Sequence, residues 1–331
     1  MNHFLKIAAA VTAMIAAVAC VHEYPSEDGG SGRVDTKITL TTSPAFTHSS
    51  ILGTRNQERF ECMYFVVEFH ENEFGPTPVL RREIGAAKDD NGSATVQLDE
   101  QLAPGKYKCV AYAVAAHDTD GTGSIYSLDD LSNIGFDDEY PGNTDAKESY
   151  EARFDLEVTA DGGVEMTQLM SSPMSSVEVI SIDVEEFIKH ESVRLEMKEN
   201  DSRVDTWHWD DYYAVWKYDL YYPVRYNAYT GLPNKAETEV SFRADIVPQS
   251  NTEASLGMDY IFVNGQTSKI NLSLEVYDKD NTLINSYYGI EVPIERGKTT
   301  IIRGEYLTNR KEPGIGIDPD FDGDINITLP D

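Results

Sequence analysis

VDTKITLTT, Val34–Thr42, is the stretch that decides the fold. Val34, Thr36, Ile38 and Leu40 alternate with Asp35, Lys37, Thr39 and Thr41. Strand side chains point to opposite faces at a period of two, so this run is a strand with one apolar and one wet face. Most of the chain repeats the pattern, with almost no helical periodicity. Residues 60–69 place Phe60, Cys62, Tyr64 and Val66 on one side and Met63, Phe65, Val67 and Phe69 on the other. A strand apolar on both sides is expected to be central and buried on both faces. Residues 78–84, 94–98, 107–115, 150–159, 163–169 and 176–184 continue the series, the last of them closing the first half. Pro104-Gly105, Asp118-Thr119-Asp120-Gly121 and Asp161-Gly162-Gly163 are turn signals between these runs.

Residues 185–200 are charged and form the one expected helical or irregular bridge. Beyond it come residues 218–227, 239–247, 255–263, 268–277, 284–292, 299–306 and 325–329, separated by Gly, Pro, Asn and Asp turns. Short strands at this spacing are what a sandwich requires. The chain is therefore expected to be all-β, two tandem antiparallel β-sandwich domains over residues 33–200 and 201–331. Residues 124–147, with Asp129, Asp130, Asp137, Asp138 and Glu139, are a long connection for a compact domain, and such loops are often functional.

Ahead of these domains, residues 1–19 combine Lys6, an apolar run over 7–18 and the small residues Ala17-Val18-Ala19, the composition of a secretory signal peptide. At about 1.5 Å per residue the apolar run covers roughly 20 Å, short of the roughly 30 Å of hydrocarbon in a bilayer. Cys20 follows directly, and this arrangement resembles the lipobox of bacterial lipoproteins, with Ala17 where Leu is usual. The resemblance implies that Cys20 is acylated and becomes the N-terminus, and that the protein is lipid-anchored in the outer membrane, exposed at the cell surface. Residues 20–32, rich in Ser, Glu, Asp and Gly, read as a flexible tether.

The 331 residues carry 57 acidic and 27 basic side chains, a net charge of -30. Such a surface repels nucleic acid and anionic headgroups, which excludes both as ligands. With 19 Tyr and 12 Phe the chain has ample material for cores, so its acidity does not mean disorder.

The search for chemistry returns little. There is no Gly-rich phosphate loop, no His pair at helical spacing and no nucleophile elbow. No nucleophile, base and orienter can be assembled from named residues, Asp129 and Asp130 included, so no enzyme and no cofactor are expected. Residues 318–324 open like a calcium loop, but Leu329 stands where a bidentate Glu is needed, which favours a self-capped turn. No metal site is expected. Cys62 and Cys109 lie in strand-like runs, where they either bridge across a sheet or stay as small buried thiols. Trp207, Trp209 and Trp216, with His208 and the tyrosines around them, are rings for a sugar or a partner subunit, or plugs for a seam between the sandwiches.

ASLGMDYIFVN from Ala254, INLSLEVYDKDN from Ile270, VPIERGKTTIIRGEYLT from Val292 and GIGIDPDFDGDINI from Gly314 resemble the Bacteroidetes fimbrillin-like lipoproteins. CVHEYP from Cys20 and SSPMSSVEVISIDVEEF from Ser171 agree. The resemblance implies two transthyretin-like, Greek-key domains and the role of an anchor or minor subunit of type V pili. Its partners would be other fimbrial subunits, joined by β-strand exchange, and a host or bacterial surface met through the assembled pilus. It further implies Arg33, just before the first strand, as the place a processing protease would cut. A lipid-anchored subunit would keep that bond, since a cut there frees the body from Cys20. Ile325, Ile327 and Leu329 alternate with polar neighbours and make either a donor strand or the last strand of their own domain. The alternative function is a glycan-binding lipoprotein of the outer-membrane surface.

Overall fold

A computed structural model describes residues 32–44, 60–136, 139–198, 208–219, 222–237 and 239–308. It also gives the backbone of 316–317 and 325–328, and residues 193–198 are likewise described as backbone. Cys20, Trp207, Leu329 and the calcium-like turn 318–324 lie outside the described residues.

The first sandwich is built from β1 (Val34–Thr42), β2 (Cys62–Glu71), β3 (Leu80–Ala87), β4 (Thr95–Leu102) and β5 (Gly105–Ala116). After them come the short β6 (Tyr126–Ser127) and β7 (Gly135–Phe136), then β8 (Ser149–Val158) and β9 (Val164–Met170). A sheet in the order β4-β1-β9 covers one in the order β3-β2-β5-β8. Alternation decides what lies between them. Ile38 and Leu40 of β1, Val96 and Leu98 of β4, Met63, Phe65 and Val67 of β2 and Cys109, Ala111 and Ala113 of β5 form one core. The other parity of β2 and β5, Val66, Val110, Tyr112 and Val114, enters a second cluster with Met174, Tyr226, Met258, Tyr260 and Phe262. The run at 60–69 is therefore buried on both faces because the second sandwich lies against its outer side.

That second unit holds β10 (Met174–Ser181), α1 (Val184–Lys198), β11 (Tyr212–Tyr218), β12 (Tyr222–Asn227), β13 (Leu232–Glu237), β14 (Ser241–Asp245) and β15 (Val247–Pro248). It continues with β16 (Ala254–Phe262), β17 (Thr267–Asp278), β18 (Leu283–Glu295), β19 (Thr299–Gly304), β20 (Gly316–Ile317) and β21 (Ile325–Thr328). A sheet in the order β15-β16-β10-β19-β21-β20 packs on one in the order β14-β11-β17-β18. Val177, Val179, Leu256, Ile302, Trp216, Leu272 and Leu274 fill the space between them. α1 falls on the charged bridge, and its Val184 and Phe187 join the same core. Among the described residues no helix is long and apolar enough to cross a membrane.

One expectation needs correction. The strand expected to close the first half instead lies between β16, antiparallel, and β19, parallel, with Ser176 opposite Thr299. It opens the second sandwich, so the change of sandwich comes before Met174 and not near 200. A parallel neighbour requires a long crossover and leaves no local trace in the sequence. The all-β sandwich architecture is as expected and most strand pairs are antiparallel; β1 with β9 and β19 with β21 are further parallel pairs beside β10 with β19. Of the two readings left open for Cys62 and Cys109, the structure takes the buried thiols: the pair does not bridge. Cys62 stands opposite Ala116 and Cys109 opposite Phe69, seven positions apart on β5, about 24 Å at roughly 3.4 Å per residue. Disulfides need Cα atoms within about 7 Å. Both are buried free thiols, and burial pushes Cys109 up to about 12.

Candidate functional site

β1 is the strand that organises the first sandwich's smaller sheet. It is bonded on both sides, antiparallel to β4 from Val34↔Leu102 to Thr41↔Thr95, and parallel to β9 from Thr36↔Val164 to Thr42↔Met170. Its inward face is Thr36, Ile38, Leu40 and Thr42, all at most 2% exposed. Thr42 is tolerated there because its Oγ1 accepts from the Ala94 N–H at 2.9 Å. Its outward face makes surface contacts: Thr41 with Thr95 at 3.0 Å and Lys37 with Glu165 at 3.5 Å. Without β1, β4 and β9 would flank an open slot about nine residues long, roughly 30 Å, with two rows of unpaired backbone groups and a bare apolar floor. β10 occupies the matching place in the second sandwich, antiparallel on one side and parallel on the other.

Arg33 is exposed just before β1, and its Nη1 donates to the Gln101 carbonyl at 3.5 Å. Because β1 follows Arg33, a cut at that bond leaves the strand in its slot. Ile325 and Ile327 lie on β21, parallel to β19, with Ile325 opposite Thr300 and Ile327 opposite Ile302. β21 thus extends its own chain's sheet, capped on its far side by β20.

Of the tryptophan cluster, Trp209 and Trp216 are among the described residues, and neither is an exposed ring. Trp216 is fully buried in the second core, with Nε1 donating to the Leu256 carbonyl at 2.8 Å. Of the two readings left open for it, Trp216 follows the one that places it in the core. Tyr212, Ala214, Trp216 and Tyr218 are the buried parity of a strand, β11, that the richness in aromatics disguised. Trp209 is half-buried and stacks on Phe187 at 5.9 Å between ring centres.

One exposed ring was not anticipated. The register of β18 against β17 slips between Leu272 and Leu274, at Gly289 with φ +69°. A bulge re-aims the neighbouring side chain, and Tyr288 is 57% exposed there. Its hydroxyl donates to Glu275 Oε1 at 3.2 Å, and Glu275 also accepts from Tyr277 at 2.5 Å and Lys217 at 2.6 Å. Beside them Tyr213 stacks on Tyr277 at 5.4 Å, with the Arg243 guanidinium 3.7 Å from its ring centre. The signal available in the sequence was a Gly inside a strand pattern, which marks a bulge.

Buried polar groups join the sandwiches. Glu68 of β2 accepts from Arg81 at 2.6 Å, from His70 at 3.1 Å and from Tyr229, in the β12–β13 turn, at 2.6 Å. His70 Nδ1 accepts the Gly75 N–H, so the proton sits on Nε2, facing Glu68. Burial alone would raise Glu68; the hydrogen bonds from His70 and Tyr229 and the Arg81 charge outweigh it and hold the carboxylate below its ordinary range. Arg296 donates to Glu151 of β8 at 2.7 Å and to Tyr226 at 2.9 Å. Lys147, at the end of the long connection, meets Asp259 of β16 at 2.7 Å.

Among the described residues no group of His, Cys, Asp and Glu is arranged to hold a metal ion. The family model of DUF6562, described as a family of unknown function, matches residues 29–330. Among curated proteins nothing matches at a significant level. Solved structures similar to the chain include the fimbrial anchor protein Mfa2 from Porphyromonas gingivalis, with 11% identity, 77% of this chain and 82% of that one covered, and a TM-score of 0.42. A fimbrial assembly protein from Parabacteroides distasonis is similar at 10% identity, with 90% and 99% covered and a TM-score of 0.41. Likenesses at TM-scores this low carry no weight for function.

Proposed function

The chain belongs to DUF6562, and we propose that it is a lipid-anchored, surface-exposed subunit of a fimbrial assembly, structural and not enzymatic. Cys20 holds it to the outer membrane, and strand addition joins it to neighbouring subunits. The observation that carries this reading is β1 itself: a first strand lodged between an antiparallel and a parallel neighbour, with its chain leading straight back to the tether. With β1 in place the first slot is filled, so such a subunit does not receive a strand there. That suits an end of a filament, an anchor, better than a link in its middle. Neighbouring subunits would meet it at sheet edges, where unpaired backbone groups supply affinity and alternate side chains fix register.

Mass spectrometry of the protein from its native outer membrane, and of sheared surface filaments, tests the reading. An acylated Cys20, an intact Arg33–Val34 bond and co-purification with filament subunits are expected. A chain that begins at Val34 and is found within the filaments would overturn the anchor role.

A second reading, a glycan-binding surface protein, is favoured by Tyr288. An exposed ring beside a carboxylate and cations can stack on a sugar face while its neighbours hydrogen-bond the hydroxyls. On a fixed oligosaccharide panel, binding lost in Tyr288→Ala would favour it, and no binding by the intact protein would remove it.

A further inference from the structure

Lys147 and Asp259 are a lysine and an aspartate with no access to water, both 0% exposed. Two features of the chain place them together. Lys147 ends a short 3-10 turn, Asp145–Lys147, whose preceding residue Thr144 accepts from the Ala146 N–H at 3.1 Å. Asp259 is turned indoors by a bulge. The register of β16 against β10 slips between Met258 and Ser255, at Gly257 with φ +123°. Ala254 and Leu256 face the core before the slip, and Ile261 and Val263 after it, so the inward parity changes from even to odd and takes in Asp259.

Lys147 Nζ lies 2.7 Å from Asp259 Oδ1. The other oxygen, Oδ2, accepts from Tyr218 at 2.6 Å, from Tyr222 at 3.2 Å and from Tyr140 through a short hydrogen bond. The Phe136 and Tyr140 rings wall the amine, with centres 5.3 and 4.1 Å from Nζ. As ions, the two groups bear the desolvation cost of a buried pair. Burial lowers Lys147 to about 8 in spite of the attraction of Asp259, so its neutral, nucleophilic form is within reach.

From this geometry we propose that Lys147 Nζ and Asp259 Cγ are joined by an intramolecular isopeptide bond. The atoms balance without a co-reactant. One proton passes from the ammonium to the carboxylate, and the neutral amine adds to Cγ. Negative charge then gathers on Oδ2, where three phenol hydroxyls already donate, the arrangement that stabilises a tetrahedral oxyanion. Oδ1, on the lysine side, takes the second amine proton and leaves as water. A neutral amide then replaces two buried charges, which removes their desolvation cost. The product stitches the long connection of the first sandwich to β16 of the second.

Tryptic digestion of the denatured full-length protein, followed by tandem mass spectrometry, tests the bond. Trypsin cannot cut after an acylated lysine, so the expected product is a branched peptide. It joins residues 109–153 to residues 244–269 and is lighter than the two linear peptides together by one water. Cleavage after Lys147, with 244–269 recovered only as a linear peptide, would overturn the proposal and leave a buried ion pair. The Lys147→Met/Asp259→Asn double variant, which removes both charges together, must give linear peptides. A branched species persisting in it would assign the link to other residues and equally overturn the proposal.

Discussion

Replacing Ile38 or Leu40 by Ala tests whether β1 sits in its slot as described. Both side chains are 0% exposed and lie against β2 and β5 residues in the first core. Truncating a fully buried Ile or Leu costs about 2–5 kcal/mol, the lost transfer energy plus the cavity left behind. The neighbours Thr39 and Lys37 point outward, and Ala there should change stability by no more than about 0.5 kcal/mol. The two faces of one strand should therefore differ by at least about 1.5 kcal/mol, roughly tenfold in the unfolding equilibrium. Urea titrations followed by fluorescence and by limited proteolysis would read this, the latter because the two sandwiches need not unfold together. Thr39→Ala costing as much as Ile38→Ala would refute the register. So would an Ile38→Ala cost below about 1 kcal/mol, since β1 would then not seal the core.

Other outcomes follow from the same coordinates. Glu68 has its carboxyl pKa lowered on folding, so its contribution is fully present above the ordinary carboxylate range and is lost as pH falls through the folded value; Glu68→Gln should flatten the acid limb of a stability profile. An unchanged limb would mean that the contacts with Tyr229, His70 and Arg81 do not form. Cys62 and Cys109 are both buried and their thiols raised, so mapped alkylation near pH 8 should leave them unmodified until the chain is unfolded. Gly257→Ala should destabilise by about 1–3 kcal/mol, measured by thermal melting, because φ is +123° and the new Cβ would lie 2.6 Å from the Ala244 Cβ. A neutral result there would argue against the bulge.

Sequence periodicity carried far in this chain because most strands have one parity indoors. Val34–Thr42 was read to its ends, and the double-sided apolar run at 60–69 announced a sheet covered on both faces. The places that resisted share a physical cause: the partner that gives the residue its meaning is remote. Met174–Ser181 looks like any half-buried strand until β19 is laid beside it. Tyr212–Tyr218 hides a plain alternation under bulky rings, and a ring is equally at home in a core or on a ligand. Lys147 and Asp259 look like surface charges because polar residues usually are. Only the phase change at Gly257 turns the aspartate inward, and a glycine within a strand was the one local hint of it.

The double pairing of β1 also has a mechanical side. The strand has eight partner positions on β4 and seven on β9, and its N-terminal end runs directly into residue 33. Tension applied from that end acts along the strand axis, so both ladders are sheared at once and their bonds share the strain, whereas a hairpin edge pulled sideways would peel one bond at a time. Resistance to forced unfolding is a matter of rate, set by the barrier to the first rupture. A body hung from a membrane by this end would meet flow with its stiffest direction.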